Sequence, residues 1–193
     1  NSPTGIRTVN EKIWATQFKD LIPKTWVTRS IPELNSILTQ EENLILKPTN
    51  GFGGQHIFKL NKHDPNKHVI LETLTQNQNQ YIIAQPFLEA AKEGDKRILL
   101  CMGNAIGAIL RKNTSDDHRN NFCAGGSAFP TTITPNDQKI ITTLAPHLQN
   151  LGLNFVGIDI IGDYLIEVNV TSPTCLQELN HLTDSEHEHA LIT

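Results

Sequence analysis

Residues 155–173, FVGIDIIGDYLIEVNVTSP, constrain this chain more than any other stretch. Two β-rich apolar runs flank Gly162-Asp163, which reads as a hairpin, and Asp159, Glu167 and Asn169 interrupt the apolar alternation. Glu167 and Asn169 are two apart on one strand, so they share a face. Asp159 depends on the turn. A strict two-residue loop sets it across from Ile166 and on the opposite face, whereas a three-residue loop or a one-residue bulge restores a common face. A single site made from all three therefore requires an irregular hairpin. Two carboxylates and an amide oxygen are hard donors that suit Mg²⁺ over zinc and would hold it against a polyphosphate. The competing reading is a solvated hairpin whose polar residues face water.

The chain has 193 residues, room for one or two small lobes with a core. Its 16 Lys and Arg against 20 Asp and Glu give a net charge of −4, which lacks the basic field that a nucleic-acid partner needs. Cys101, Cys123 and Cys175 are odd in number with no close pair, an argument against a disulfide framework or a zinc knuckle and for a reducing, cytoplasmic setting. No apolar run reaches the roughly 18 residues of a membrane span, and no signal sequence opens the chain. The first residue is Asn rather than Met, so the sequence reads as a fragment or a processed piece.

After a loop over 1–7, Thr8 and Glu11 form a capping-box pattern that predicts a helix with Trp14, Phe18, Leu21 and Ile22 on one side and Lys12 near its start. Lys12 is either a surface lysine or one that reaches a phosphate. Ser30, Pro32 and Glu33 start a second helix, with Leu34, Ile37 and Leu38 buried. A strand over 44–47 leads into Gly51, Phe52, Gly53 and Gly54, and a strand resumes at 56–60. Three glycines in four positions let backbone N–H groups converge on an anion, which Lys47 would help to neutralise. No Gly-Lys-Ser/Thr and no helix follows, which excludes a Walker loop and a dinucleotide fingerprint; a flexible hairpin remains the alternative.

Further on, 69–74 reads as strand or short helix and 81–84 as a strand running into Gln85, Pro86, Phe87 and Leu88. That stiffened segment connects two lobes, and its backbone groups can pair with a planar ring. A hairpin over 97–110 precedes a polar loop, 111–121, with Arg111, Lys112, His118 and Arg119. The loop is either plain surface or a clamp for anionic groups. Thr134, Pro135 and Asp137 start a long helix over 135–150 that Pro146 should kink and Gly152 ends. His187 and His189, two apart, do not share a helix face and read as a polar tail.

Taken in order, Asn10-Glu-Lys12, Ile45-Leu-Lys47-Pro48, Gly51-Phe-Gly-Gly54, Gly94-Asp-Lys-Arg97, Ala124-Gly-Gly126 and Phe155-Val-Gly-Ile-Asp159 with Glu167-Val-Asn169-Val-Thr-Ser-Pro-Thr174 resemble bacterial glutathione synthetase, an ATP-grasp carboxylate–amine ligase. The resemblance covers nearly the whole chain. It implies an α+β ATP-grasp fold of two lobes, 1–86 and 87–193, with ATP and magnesium between them, and without the α/β domain that the family carries ahead of this part. By the same resemblance Lys12 and Lys47 contact ATP phosphates, Gly51, Phe52, Gly53 and Gly54 cover them, and Gln85, Phe87 and Leu88 meet adenine. Asp159, Glu167 and Asn169 hold one or two magnesium ions, with Mn²⁺ able to substitute. Arg97, Arg111, Arg119 and Asn121 lie near the acceptor carboxylate and the transferring phosphoryl group, and Asp95, Ser172 and Thr174 shape the peptide-substrate end.

The implied reaction joins γ-glutamylcysteine to glycine through an acyl phosphate, with no protein nucleophile. The family pattern has an arginine where this chain has Ser127, and usually continues into helix beyond the point where this chain stops. Two alternatives stand beside this reading. One is another ATP-grasp carboxylate–amine ligase. The other is an Mg-ATP-binding fragment or subunit that needs a partner chain, or a homo-oligomer, to complete it.

Overall fold

The computed structural model describes residues 1–115 and 119–192. Two compact units emerge: Pro23–Glu89, and Asn1–Ile22 together with Ala90–Thr193.

The unit Pro23–Glu89 is a four-stranded antiparallel sheet with two helices on one face. Its strands β1 (Trp26–Thr28), β2 (Asn43–Pro48), β3 (Phe58–Asn61) and β4 (Ile82–Pro86) are ordered β1-β4-β2-β3. Numbering the first helix, Pro3–Thr8, as α1, the two helices here are α2 (Ile31–Glu41) and α3 (Lys67–Thr75). α2 starts as its sequence dictates, with Ser30 Oγ accepting from Glu33 N at 3.3 Å. Leu34, Ile37 and Leu38 then meet Leu71 and Leu74 of α3 and Leu44, Leu46, Leu60, Ile82 and Ala84 of the sheet. Alternation puts Ile45 and Lys47 on the other face, opposite Gln85 and Ile83. The segment 69–74, ambiguous in sequence, is helical.

The other unit is a five-stranded antiparallel sheet ordered β7-β6-β5-β8-β9, from β5 (Asp95–Cys101), β6 (Asn104–Lys112), β7 (Ser127–Pro130), β8 (Phe155–Ile161) and β9 (Tyr164–Asn169). One face packs on α4 (Pro135–Asn150), burying Ile140, Ile141, Leu144 and Leu148 against Ile98, Leu100, Val156, Ile158, Ile160 and Val168. Each fully buried Leu of this kind contributes about 1.5–3 kcal/mol. α4 begins at a capping box between Thr134 and Asp137 and runs through Pro146 to Asn150. Lys96, on this same face, pairs with Asp137 and anchors the helix start to β5. The opposite face divides: Leu99 and Ile109 pack with Cys175 and with Leu179 of α5 (Leu176–Thr183), while the rest carries charge.

Two expectations are corrected. The first 22 residues do not join the early lobe, and the division is not 1–86 and 87–193. Val9, Ala15, Leu21 and Ile22 are part of the α4 core, and the carbonyls of Glu11 and Leu21 accept from Val168 N and Leu165 N along the outer edge of β9. Nor does a helix start at Thr8. The α-helix is α1, capped by Ser2, and it ends there; a turn and a 3₁₀ segment, Trp14–Gln17, follow. Glu11 does not cap its own backbone, because its carboxylate accepts from Val170 N and Thr171 N.

The C-terminal segment is more than a tail: Asn180 Oδ1 accepts from His187 N, its Nδ2 meets Glu188, and a short helix, α6 (His189–Ile192), follows.

Candidate active site

The hairpin that joins β8 to β9 is irregular in the required sense. Ile161 pairs with Tyr164 and Ile160 with Leu165, but Asp159 pairs with Glu167 and Gly157 with Asn169, so Ile166 is the extra residue of a β-bulge. The bulge flips the alternation. Leu165 goes into the α4 core, yet Glu167 emerges beside Asp159 on the charged face.

Cross-strand register extends this row. Arg97 of β5 lies opposite Asp159, and two residues earlier Asp95 lies opposite Arg111 of β6. Arg97 holds Asp159 with two bonds, Nε to Oδ1 at 2.5 Å and Nη2 to Oδ2 at 2.9 Å, and Arg111 Nη2 approaches Oδ1 at 3.0 Å. Arg111 Nε also donates to Asp95. Asn169 Nδ2 faces Gly157 O and Asp159 Oδ2, both at 3.3 Å, which leaves Oδ1 as its oxygen donor. Lys12 Nζ closes the row at 2.8 Å from Glu167 Oε1. Thr174 Oγ1 accepts weakly from Arg97 Nη1 at 3.4 Å, whereas Ser172 is exposed.

Asp159, Arg97 and Arg111 are each only 5–6% exposed, so their charges act in a poorly screened setting. Burial alone would raise the Asp159 carboxyl, but Arg111 and Arg97 outweigh it and hold it well below the usual carboxylate range. Asp95 goes the other way. Burial pushes it up to about 6, with the Asp159 charge adding to the rise and the Arg111 guanidinium opposing it. Burial opposes the charge of Arg111 and Arg97, yet Asp159 keeps both above the ordinary guanidinium value. The Cys175 thiol is pushed up by burial despite Arg97, so it is no ready nucleophile.

Arg119 and Asn121 belong to the segment after β6. Asn113 and Asn120 pin its base: Asn120 Oδ1 accepts from Asn113 N at 3.0 Å, Asn113 Nδ2 donates to Arg119 O and Ala124 O, and Asn120 Nδ2 donates to Ala91 O at 2.7 Å. A Cβ on Gly126 would stand 2.0 Å from Asn120 O, so the tight return needs glycine. Asn121 Oδ1 is buried with no hydrogen-bond partner among the described residues, an acceptor left for something else. His118 lies outside the described residues.

In the unit Pro23–Glu89, Lys47 is 5% exposed on the face away from α2 and α3. Beyond it Gly51, Gly53, Gly54 and His56 all have positive φ, the backbone that only a glycine-rich turn accepts cheaply, and Phe52 is 78% exposed. Gln85 is buried with its side chain donating to Thr25 Oγ1 at 2.8 Å. Phe87 N donates to Asn43 O, the ring of Phe87 lies under Lys59 Nζ at 3.6 Å, and Leu88 is half-buried.

Three positioning features escaped sequence reasoning. Glu11 was taken up by the capping-box pattern. The Asn113–Asn120 clasp has no spacing signature. Gly157 is the third: a Cβ there would be 3.1 Å from both Cδ and Nη1 of Arg97, so its absence gives the arginine its path across β8 to Asp159. Only the register of β5 on β8 reveals it.

Residues 11–184 match the model of the prokaryotic glutathione synthetase ATP-grasp domain. The chain belongs to this family. Curated relatives named glutathione synthetase include those of Thermosynechococcus vestitus, 46% identical over 94% of this chain, and Pseudomonas aeruginosa, 44% identical over 96%. The chain spans 57% and 59% of the lengths of those two glutathione synthetases. Solved structures agree on the ATP-grasp fold. They include the D-cycloserine synthetase DcsG, with TM-score 0.72 and 16% identity over 96% of this chain and 70% of that one. Another is the D-alanine–D-alanine ligase of Bacillus anthracis in complex with ATP, with TM-score 0.68 and 10% identity over 98% and 65%. The expected α+β ATP-grasp fold is therefore correct. Among the described residues no helix is long and apolar enough to cross a membrane.

Proposed function

We infer that this chain is the nucleotide and metal part of an ATP-dependent ligase that joins γ-glutamylcysteine to glycine. The observation that carries the reading is the bulged hairpin, which sets Asp159, Glu167 and Asn169 on one face beside Arg97 and Arg111 in a member of the glutathione synthetase family. Lys47, Gly51, Phe52, Gly53 and Gly54 take the phosphates of ATP, with Lys12, and Gln85, Phe87 and Leu88 take adenine. Asp159, Glu167 and the Asn169 amide supply only oxygen donors, a set that fits one or two Mg²⁺ ions or Mn²⁺ in their place. When bound, the metal offsets phosphate charge.

Arg97, Arg111, Arg119 and Asn121 orient the acceptor carboxylate, and Asp95, Ser172 and Thr174 shape the pocket for the rest of the dipeptide. A carboxylate oxygen of γ-glutamylcysteine attacks the γ-phosphorus as the bond to ADP breaks. The glycine nitrogen then attacks the acyl carbon, the C–O bond to phosphate breaks, and the amine loses a proton. Two buried guanidiniums held at fixed distances by Asp159 are preorganised for carboxylate and phosphoryl oxygens, which spares reorganisation when charge shifts. Free thiols at Cys101, Cys123 and Cys175 and the use of ATP fit a cytoplasmic setting.

The test is phosphate release from ATP and Mg²⁺ with γ-glutamylcysteine and glycine together and each omitted in turn, with Glu167→Gln, which removes a metal-site carboxylate at little cost to the fold, as control. Release that needs both substrates and is lost in the control supports the reading; release indifferent to either substrate overturns it.

A further inference from the structure

Lys12 Nζ lies 2.8 Å from Glu167 Oε1, and the two side chains are only 9% and 21% exposed. The placement is built rather than incidental. Asn10 Oδ1 accepts from Lys12 N at 3.1 Å and Ile13 N at 2.9 Å, folding the backbone into a turn. Glu11 O accepts from Val168 N at 3.0 Å, and its carboxylate takes Val170 N and Thr171 N at 2.8 and 2.9 Å. The residue before Lys12 is thus fastened to Val168, next to Glu167 on β9, and to Val170 and Thr171 just beyond the end of that strand.

On the same face Arg97 and Arg111 neutralise Asp159 and Asp95. Among the described residues, Glu167, Asp159 and Asp95 each meet a cationic side chain before any ligand arrives. A bare divalent cation at Glu167 would share a carboxylate already neutralised and gain an ammonium neighbour of like sign. A polyphosphate reverses the balance, because its oxygens offer Lys12 a more strongly charged partner and release Glu167.

We propose that Lys12 is the resident counter-ion of Glu167, which disfavours a bare divalent cation and passes to a phosphate oxygen when a nucleoside polyphosphate enters with its metal. The proposal rests on the metal and nucleotide reading given above. Metal and nucleotide then bind interdependently, and by linkage each strengthens the other equally.

The experiment measures free Mn²⁺ by electron paramagnetic resonance in titrations of the full chain, with and without ADP. Lys12→Met is compared with Lys62→Met, which removes the same charge from an exposed pair with Glu42, and with Lys12→Arg, which keeps the charge. Without nucleotide, Lys12→Met is expected to bind Mn²⁺ about tenfold more tightly than Lys62→Met, and Lys12→Arg to stay near wild type. The gain in Mn²⁺ affinity given by ADP is expected to shrink about tenfold in Lys12→Met alone. Equal bare-Mn²⁺ affinity in Lys12→Met and Lys62→Met, or Lys12→Arg behaving like Lys12→Met, overturns this inference alone. No Mn²⁺ binding by any variant, with or without ADP, overturns the metal reading of the site and this inference with it.

Discussion

Asp159 on β8 stands directly across from Glu167 on β9 only because the ladder passes over Ile166 between the Leu165 and Glu167 pairs. Without that slip Asp159 would face Ile166, and the alternation that buries Leu165 would bury Glu167 too. One extra residue thus lets a hairpin that is apolar toward α4 present two carboxylates, one from each strand, and an amide on its other side. The β5 and β6 arginines converge on Asp159 from their own registers, which the extra residue in β9 leaves unchanged.

Asp159→Asn is expected to destabilise the chain by about 3–5 kcal/mol, since it leaves the buried Arg97 guanidinium without its ionised partner and takes one of two from Arg111, which keeps Asp95. Glu167→Gln loses a bridge to a partly exposed pair and costs about 1 kcal/mol or less. Denaturant unfolding of the two variants separates them. Equal losses would mean that the buried Asp159 cluster stabilises the fold no more than the Lys12–Glu167 pair does.

Gly157→Ala tests whether Arg97's path depends on the missing Cβ. The new methyl would be 3.1 Å from Arg97 Cδ and Nη1, so the guanidinium must shift by a few tenths of an ångström while the backbone, whose φ is ordinary, tolerates alanine. Stability should change by about 1 kcal/mol or less. In a preparation that turns over, substrate-dependent phosphate release should fall about tenfold or more while Mg-ADP affinity stays within about twofold. A parallel loss of both would show a general disturbance of the site.

The elements most legible in the sequence were those whose signals are local. α2 and α4 begin at Ser30 and Thr134 because cap, proline and apolar spacing occur within one turn of each other. The hairpin was legible in a stronger sense, since the requirement that Asp159, Glu167 and Asn169 share a face demanded the irregularity that β8 and β9 have. The N-terminal segment was not legible. Thr8 and Glu11 satisfy the capping-box spacing, but the Glu11 carboxylate is bound by amides of Val170 and Thr171, and no local pattern reports a partner so distant in sequence. The Arg97 and Arg111 contacts were hidden for the same reason, because they follow from cross-strand register, and the units are divided by packing that the order of residues does not reveal.

Asp95 gives the chain a stability term that worsens as pH rises. Below about pH 4, the ordinary carboxylate range, folded and unfolded chains both hold its proton. Its folded-state value is pushed up to about 6, so between about 4 and 6 the unfolded chain releases the proton first and stability falls; above 6 the loss is complete. Asp159 has the opposite sign, because its carboxyl is held low. Its contribution is present above the ordinary range and lost as pH falls through the folded value. Asp95→Asn should therefore gain on the wild type by about 1–3 kcal/mol from pH 4 to 6 and no further from about 6 to 8. A difference independent of pH would contradict the raised value.

Glu11 is expected to act as a backbone acceptor rather than as a charge. Glu11→Ala strips Val170 N and Thr171 N of their shared acceptor at 2.8 and 2.9 Å and should cost about 1–3 kcal/mol. Glu11→Gln keeps a carbonyl oxygen in the same place and should recover most of that loss. Amide hydrogen exchange tells the roles apart: Val170 and Thr171 should exchange faster in Glu11→Ala, while Val168 N, bonded to the Glu11 main-chain carbonyl, keeps its protection. If Glu11→Gln were as damaging as Glu11→Ala, the carboxylate charge would be what holds the segment, and the clip would belong with the ion pairs of Lys12, Arg97 and Arg111.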